Sequence, residues 1–416
     1  MARHSAAAPL HLRILLIIAL FTGSVARLAS RNGLKAKAPS EQGGEPPPGD
    51  AAATAKTLGW HPHCALKNSL NTSLGNFVNK NLVKEFVQSR TPSLRVAKTI
   101  AYSTATTGHM NYSLALAGTL TGDDMFFKAA HMTGGVVRLR NGTFHCIKEP
   151  CGAPSQPRLE RLQKKWGSVA AALMESACDK WMSMVVQGKT LQRFMYRATP
   201  RGCVLEEGLK FHAAGMQSWE QHDIRSTPAD IKVFCMNGRP VNILYCSRRF
   251  TSKHGVRQTF FSIPSMRWLR ISEPMYPHVL DDPKTVTLPP FLPRLLEDAA
   301  RLAQGFANVR VDFLQFGDHD YAFGELTFTH NACREEETWL PPQIEQLYGE
   351  LTAGQHTALT DRELEARQLE IIRQYHASHE WRCANETGMC GWQCENYSGC
   401  KPLDRALRAS GPGFRG

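Results

Sequence analysis

Two acidic residues interrupt apolar segments that lie close together in the sequence. Asp312 lies within Val309–Phe313, and Glu325 is followed by Leu326 and Phe328. The polar residues between the two segments predict a turn, so two antiparallel strands would present both carboxylates on one face. Carboxylate oxygens are the preferred ligands of hard divalent ions, and this pair would hold one such ion. The pattern also fits acids on the solvent side of a half-exposed sheet.

A lysine and a glycine pair form a second group of residues that could do chemistry. Lys128 ends the apolar run Met125–Phe127, and Gly134 and Gly135 follow within a few residues. An ammonium group beside a glycine turn with free backbone N–H groups can receive phosphate oxygens. The same pattern also occurs in an ordinary surface hairpin.

The segments around these residues show both strand and helix patterns. Residues Ile231–Cys235 and Val241–Tyr245 alternate with period two on either side of Asn237-Gly238, which predicts a β-hairpin. Apolar residues at helical spacing predict helices over residues 79–89, 158–187 and 293–305. The sequence therefore predicts an α+β fold with mixed sheets.

The N-terminal residues predict entry into the secretory pathway. Arg3 and Arg13 precede the apolar run Ile14–Ala26, which is short for a bilayer span and typical of a signal peptide. Small residues up to Ala26 fit cleavage after that position, and retention as a type II membrane anchor is the open alternative. Both alternatives place the rest of the chain in the lumen of the endoplasmic reticulum or Golgi, or outside the cell.

Sequons and cysteines agree with that route. Asn-x-Ser/Thr sequons predict N-glycosylation at Asn71, Asn111, Asn141, Asn385 and Asn396. The chain has 12 cysteines, and in an oxidising lumen most of them would form disulfides. A small C-terminal disulfide module is predicted from the close spacing of Cys383, Cys390, Cys394 and Cys400.

The composition along the chain predicts separate segments. Residues 1–26 are the signal peptide or anchor, and residues 27–57, rich in Pro, Gly and Ala, form a disordered stem. A capping box at Thr360 and Glu363 predicts a helix over Asp361–Tyr375. The remaining segments are the main folded domain (58–351), a helical segment (352–378), the cysteine-rich module (379–404) and a disordered tail (405–416).

The overall composition excludes some classes of protein. With 42% hydrophobic residues the chain is neither wholly disordered nor collagen-like. The 49 Lys and Arg residues outnumber the 37 Asp and Glu residues, which gives a formal net charge of +12. That charge favours encounter with an anionic partner. Nucleic acid is not expected as a partner of a lumenal chain, and a membrane is expected only through the N-terminal anchor.

The order and spacing of these segments resemble the ATP-grasp fold, most closely its TupA-like branch. The resemblance spans Leu74 to Cys333, and it implies two α+β lobes with mixed or antiparallel sheets that clasp ATP. The matching stretches are Asn79–Phe86, Phe126–Lys128 with the Thr133–Gly135 loop, Val204–Glu207, Asp230–Phe234, Arg249–Thr251 and Val309–Thr329.

The resemblance also implies roles for individual residues. The implied ATP-binding residues are two phosphate-binding lysines, a mobile loop and an adenine-side hinge: Lys80, Lys128, Thr133, Gly134, Gly135, Glu206, Glu207 and Leu209. The implied Mg²⁺ ligands are Asp312, Glu325 and Thr327, the last of which replaces the Asn of many relatives and is a poorer ligand. Lys232 and Arg249 are candidate catalytic residues for an anionic acceptor or the γ-phosphate, although surface positions would explain them equally well.

These features lead to three hypotheses about function. The first is an ATP- and Mg²⁺-dependent ligase that activates a carboxylate as an acyl phosphate, with an acidic polysaccharide or glycan as the expected acceptor. The second is a glycan kinase that uses the same ATP site. The third is a non-catalytic ATP-grasp-like protein that binds glycans.

Overall fold

Two β-sheets, with helices packed on them, make up the described part of the chain. The computed structural model describes residues 71–117, 124–132, 134–184, 198–209, 229–247, 256–270, 279–280, 283, 286–316, 320–329 and 340–378. All of them belong to one unit, Ala51–Gly416. The prediction of an α+β fold with two sheets is confirmed.

The regular elements are short and alternate along the chain. The strands are β1 (Arg95–Val96), β2 (Thr99–Thr104), β3 (Met125–Ala129), β4 (Val136–Arg140), β5 (Thr143–Lys148), β6 (Gly202–Glu207), β7 (Asp230–Met236), β8 (Arg239–Ser247), β9 (Val256–Ser262), β10 (Trp268–Leu269), β11 (Val279–Leu280), β12 (Asn308–Phe316) and β13 (Asp320–Thr327). The helices are α1 (Gly75–Val78), α2 (Val83–Arg90), α3 (Tyr112–Ala117), α4 (Gln156–Trp166), α5 (Val169–Ser183), α6 (Leu292–Ala303), α7 (Pro342–Thr352) and α8 (Asp361–Ser378).

The first sheet has five strands in the order β2-β6-β3-β4-β5, all antiparallel. Its apolar face packs against α3 and α5. Trp181 of α5 is fully buried, and its ring centroid lies 5.0 Å from that of Phe127 on β3. The opposite face of β3 and β6 is thereby left to carry Lys128 and Glu206.

The second sheet has eight strands in the order β1-β13-β12-β7-β8-β9-β10, with β11 also paired to β9. One face is apolar along its length and packs on α2 and α6, where Val83 and Leu295 join the same core as Val311. On the other face, Phe234 and Leu244 pack under α7 and α8. Where α7 and α8 do not cover this second face, its positions are occupied by polar residues.

Several local predictions agree with the structure. Strands β7 and β8 form the predicted hairpin, and Asn237 and Gly238 at its turn have φ values of 50° and 78°. The capping box at the start of α8 is formed, since the Thr360 N–H and hydroxyl both donate to Glu363 Oε2, at 2.7 and 2.8 Å. This helix continues to Ser378, beyond the predicted end at Tyr375.

Two helix predictions were wrong in their bounds. The predicted helix over residues 79–89 begins only at Val83. Residues 80–82 form a turn in which Asn79 Oδ1 accepts the backbone N–H groups of Asn81 and Leu82 at 3.0 and 3.1 Å, as a capping side chain does. A single helix over residues 158–187 was also expected. Instead, Gly167 ends α4 with a φ of 70° and Ser168 begins α5 as its N-cap, while residues 185–187 lie outside the described part of the chain.

The described cysteines divide into two kinds. Disulfides join Cys146 to Cys151 and Cys178 to Cys203, all in the first sheet and its helices. Cys235 and Cys246 of the second sheet are instead buried thiols. They belong to the cores on opposite faces of that sheet, so they cannot bond to each other. The C-terminal cysteine module lies outside the described residues.

The predicted sequons and membrane segment stay predictions. Asn71, Asn111 and Asn141 are exposed, whereas Asn385 and Asn396 lie outside the described residues. Within the ranges that the structure describes, no helix is both long enough and apolar enough to cross a membrane. The apolar run Ile14–Ala26 precedes those ranges.

Candidate active site

A buried carboxylate on the first sheet is held by two lysines. Glu206 of β6 has a side chain that is only 5% exposed. Its Oε1 lies 2.6 Å from Lys84 Nζ, and its Oε2 lies 2.6 Å from Lys128 Nζ. Lys128 reaches Glu206 because β3 and β6 are adjacent and both side chains stand on the same face. We call these three residues the lysine cluster.

Charge pairing outweighs burial for the Glu206 carboxyl, whereas burial prevails for Lys84. Burial alone would raise the pKa of the Glu206 carboxyl, but Lys128 and Lys84 hold that pKa below its usual value. Burial lowers the pKa of Lys84, and the charge of Glu206 opposes this effect. Glu206 is therefore ionised at neutral pH. Lys128, whose side chain is 24% exposed, is the member of the cluster that faces solvent most.

Lys80 binds the backbone just before the predicted phosphate loop, residues 133–135. Its Nζ donates to the carbonyl oxygens of Ala129, at 2.9 Å, and Met132, which flank the start of the loop. Burial lowers the pKa of Lys80 to about 8, an effect opposed by Glu325 and strengthened by Lys128. Lys80 thus fixes the backbone of the predicted phosphate loop and lies within electrostatic reach of both sheets.

The two glycines of that loop are required by close contacts. A Cβ atom at Gly134 would lie 2.6 Å from the Glu149 carbonyl oxygen. Gly135 has a φ of +68°, and a Cβ there would lie 2.7 Å from the Trp181 ring. The Cys146–Cys151 disulfide flanks Glu149 and so braces the backbone behind the loop. Thr133, the third predicted loop residue, lies outside the described residues.

The predicted adenine-side hinge connects the two sheets. Glu207 Oε1 accepts the Lys98 N–H at 3.0 Å, and the Glu207 N–H donates to the Lys98 carbonyl at 3.0 Å. Leu209 is buried against Ala322 of β13, in the second sheet. Two residues after β6 ends at Glu207, the chain therefore already contacts the second sheet.

A second buried carboxylate lies on the second sheet. Asp312 of β12 stands directly between Lys232 on β7 and Glu325 on β13 in the strand register. Its Oδ2 lies 2.6 Å from Lys232 Nζ, and its Oδ1 lies 2.6 Å from Arg310 Nε. Burial alone would raise its pKa, but Arg310 and Lys232 lower the pKa of Asp312 to about 2. We call Lys232, Arg310, Asp312, Glu325 and Thr327 the aspartate cluster.

Glu325 is the solvent-facing member of the aspartate cluster. Its side chain is 42% exposed, and its Oε1 accepts the Thr327 hydroxyl at 3.1 Å. Arg310 Nη2 donates to the Thr327 hydroxyl at 3.1 Å and lies 3.7 Å from Glu325 Oε1. Among the described residues, no group donates to Glu325 Oε2. This carboxylate oxygen is the donor atom most available to a cation.

The donor set fits one hard divalent ion at this position. Asp312 and Glu325 are cross-strand partners, so their carboxylates stand side by side, as the sequence predicts. Both offer oxygen atoms, the ligand type that Mg²⁺ prefers. Asp312 is already shared between Arg310 and Lys232, so Glu325 would be the principal ligand.

The structure adds two residues to the predicted set and leaves two, Thr133 and Arg249, undescribed. Lys84 and Arg310, which the sequence patterns did not single out, each bind a buried carboxylate of the site. Arg310 alternates with Asp312 on an apolar strand, a signal that could have marked it. Lys232, the candidate catalytic residue for an anionic acceptor or the γ-phosphate, is paired with Asp312 and Asp230, and its catalytic role stays a prediction. Arg249 lies outside the described residues.

Comparisons with known proteins agree with the resemblance seen in the sequence. Residues 220–352 match the TupA-like ATP-grasp family model, so the resemblance is confirmed over that range. The matched range holds β7 to β13 and the aspartate cluster, whereas the lysine cluster precedes it. No curated protein shows a significant match to the chain.

Solved ATP-grasp ligases are distant neighbours in structure. ATP-grasp ligase PsnB, in complex with a precursor variant, Mg and ADP, is 10% identical with a TM-score of 0.32, over 67% of this chain and 58% of that chain. D-alanine–D-alanine ligase from Bacillus anthracis is 11% identical with a TM-score of 0.33, over 73% of this chain and 71% of that chain. D-alanyl-alanine synthetase A from Vibrio cholerae is 13% identical with a TM-score of 0.33, over 69% and 67%. The chain thus spans 58% of the length of PsnB.

Proposed function

Because residues 220–352 match the TupA-like ATP-grasp family, we propose that this protein is an ATP- and Mg²⁺-dependent ligase that activates a carboxylate as an acyl phosphate. The PsnB complexes contain Mg and ADP, and one B. anthracis ligase structure contains ATP. Those ligands belong to proteins of low identity, so the proposal depends on the residues of this chain.

The observation that carries the proposal is the opposite charge that the two clusters present to solvent. The lysine cluster exposes the cation Lys128, whereas the aspartate cluster exposes the carboxylate of Glu325. Lys80 lies within electrostatic reach of both. A nucleotide triphosphate with a bound divalent ion needs both kinds of group, cations for its phosphate oxygens and carboxylates for its metal.

The chain would act by positioning and electrostatics. Lys128 and the backbone N–H groups around Gly134 and Gly135 would bind phosphate oxygens. Asp312 and Glu325 would hold the Mg²⁺, which when bound neutralises charge that develops on the phosphates. A substrate carboxylate oxygen would attack the γ-phosphorus, so that an acyl phosphate forms and ADP leaves. An amine would then displace inorganic phosphate to form an amide.

The substrate and compartment extend the proposal. We place the reaction in the secretory-pathway lumen, on an acidic polysaccharide or glycan acceptor. The Cys146–Cys151 and Cys178–Cys203 disulfides support an oxidising compartment. The net charge of +12 supports an anionic acceptor. Exposure of Asn71, Asn111 and Asn141 is compatible with glycosylation at these sequons.

Calorimetry on the chain that lacks only residues 1–26 tests the ATP site. We expect ATP to bind in the presence of Mg²⁺ and more weakly in EDTA. Lys128→Ala should weaken binding under both conditions, because it removes a phosphate contact. Glu325→Gln should abolish the difference between Mg²⁺ and EDTA. Binding that is absent in the wild type, or unchanged in both variants, would refute the proposal.

Product analysis separates the ligase from the glycan kinase of the second hypothesis. With labelled ATP and a carboxylated glycan, ligation releases inorganic phosphate and forms an amide with the amine. A kinase would leave the label on the glycan as a phosphate ester. ATP binding without either product would instead identify a non-catalytic protein.

A further inference from the structure

The two places where the chain passes between the sheets lie side by side. Strand β1 pairs with β13 in the second sheet, and after Ala97 and Lys98 the chain continues as β2, which pairs with β6 in the first sheet. The other crossing follows β6, where Leu209 packs on Ala322. Lys98 and Glu207 join the two crossings through two hydrogen bonds of 3.0 Å each. We call residues 97–98 and 207–209 the paired crossings.

Lys84 reaches the paired crossings from the second sheet. It lies on α2, whose Val83 and Val87 are buried in the core of the second sheet. Its Nζ contacts Glu206 Oε1 at 2.6 Å, the Ala97 carbonyl at 2.7 Å and the Thr99 hydroxyl at 2.8 Å. An ammonium group has three N–H donors, and each of them has an acceptor here.

These contacts give Lys84 two separate connections. Through Ala97 it holds the backbone of one crossing, and through Glu206 it holds the strand that leads into the other. Glu206 is also the partner of Lys128, at 2.6 Å. Lys84 therefore fixes the Glu206 carboxylate, whose other oxygen atom binds Lys128. Lys84 itself is only 13% exposed.

We propose that Lys84 is a positioning residue that sets Lys128 for phosphate binding through Glu206 and fixes the paired crossings, an inference that rests on the proposed ATP site. A lysine that served only to fill space or to solubilise the surface would not place all three of its donors on the crossing and on a carboxylate of the site. Lys84 makes no direct contact with Lys128, so its effect on ATP passes through Glu206.

A double-mutant cycle tests this role. Lys84→Met should weaken Mg²⁺-dependent ATP binding about tenfold. In the Glu206→Gln background the same change should have an effect within about twofold, because the link to Lys128 is already broken. Lys164→Met, which removes a charge from an exposed position on α4, is the matched control and should bind ATP as the wild type does. Equal effects of Lys84→Met in both backgrounds would overturn the proposal.

The pH profile of ATP binding provides a readout that general destabilisation would not change. Lys84 and Lys128 hold the pKa of Glu206 low, with Lys80 the further cation nearby. Without Lys84, the effect of burial raises the pKa of Glu206. In Lys84→Met, Glu206 should therefore become protonated as the pH falls from 7 to 5, and ATP binding should weaken over this range, unlike in the wild type. A Lys84→Met profile parallel to that of the wild type over this range would overturn the proposal. If Lys84→Met alone folds poorly, the double variant Lys84→Met/Glu206→Gln provides the test, because it has no unpaired buried carboxylate at position 206.

Hydrogen exchange in the nucleotide-free protein separates this inference from the proposed function. Lys84→Met should speed amide exchange at least about tenfold at Lys98 and Glu207, where the crossings are bonded, and leave β8 unchanged. Unchanged exchange at the crossings would overturn their fixation by Lys84, whether or not ATP binds. A wild type that binds no ATP would refute the proposed function instead, and this exchange measurement would still decide the structural role of Lys84.

Discussion

The lysine cluster and the aspartate cluster have the same arrangement of buried charges but present opposite charges to solvent. Each has a buried carboxylate between two cations: Glu206 between Lys84 and Lys128, and Asp312 between Lys232 and Arg310. In the lysine cluster the more exposed group is Lys128, at 24%. In the aspartate cluster it is the neighbouring carboxylate of Glu325, at 42%.

The difference in the exposed group indicates that each sheet could provide one half of a candidate nucleotide site. A buried carboxylate needs compensation by cations, and once compensated it acts as a rigid support. The group next to it then decides what the cluster binds. On the first sheet that group is a cation suited to phosphate, and on the second sheet it is an acid suited to a metal ion.

The largest expected effect is the loss of stability on neutralising Asp312. Asp312→Asn leaves Lys232 and Arg310 buried beside a neutral amide, so we expect the free energy of unfolding to fall by about 3–5 kcal/mol. Denaturant titration followed by circular dichroism measures this change. Asp361→Asn, at a carboxyl 59% exposed and paired with Arg239, is the control and should cost less than about 1 kcal/mol. Similar costs for the two variants would contradict the role of Asp312 as a buried support.

A smaller effect is expected for the matching change in the lysine cluster. Glu206→Gln should lower the free energy of unfolding by about 2 kcal/mol, since Lys128 can turn towards water while Lys84 remains enclosed. The same denaturant titration measures it. If Glu206→Gln costs as much as Asp312→Asn, solvent access to Lys128 does not distinguish the two clusters.

The pH dependence of stability tests Lys80, which interacts electrostatically with residues of both clusters. Burial lowers its folded-state pKa to about 8, whereas in the unfolded chain the pKa keeps the ordinary lysine value of 10.5. Between these values the unfolded state binds more protons, so this residue makes the free energy of unfolding rise with pH. We expect the wild type to gain about 2 kcal/mol relative to Lys80→Met between pH 8 and 10. Parallel stability curves for the two proteins would show that Lys80 titrates normally.

The smallest effect is expected for Glu325. Glu325→Gln should change the free energy of unfolding by less than about 0.5 kcal/mol, because its carboxylate is half exposed and Arg310 keeps Asp312 as its partner. Denaturant titration without added metal checks this value. A loss of about 2 kcal/mol or more would mean that Glu325 stabilises the fold and is not a carboxylate left available to bind a cation.

The sequence predicted the candidate site best where the functional residues lie on regular strands. Asp312 and Glu325 are cross-strand partners, as the alternation and the polar turn indicate, and Lys128 stands at the end of an apolar strand beside two glycines. Strand periodicity specifies which side chains share a face, so local pattern is sufficient there. It could not indicate that Asp312 is already paired with two cations, since Lys232 is distant in the chain.

Helix bounds and cysteine pairing show where local patterns fail. Apolar spacing extended a helix back to Asn79, but residues 80–82 form a turn capped by the Asn79 side chain, and regular helix begins only at Val83. The expected oxidising lumen favours disulfides for most cysteines, yet Cys235 and Cys246 lie on opposite faces of one sheet. In each case the outcome depends on a side-chain contact or a choice of face that residue spacing does not encode.

By itself, the sequence determined the α+β class and the strands that carry Lys128, Asp312 and Glu325. These properties depend on periodicity, which is local. The close contacts that require glycine in the loop after β3 come from Glu149 and Trp181, which the fold brings there. Only the tertiary structure decided the partners of each charge, because they come from different strands and helices. Lys84 is the clearest case: its position on a short helix predicts nothing, and its three acceptors become neighbours only when the two sheets are joined at the paired crossings.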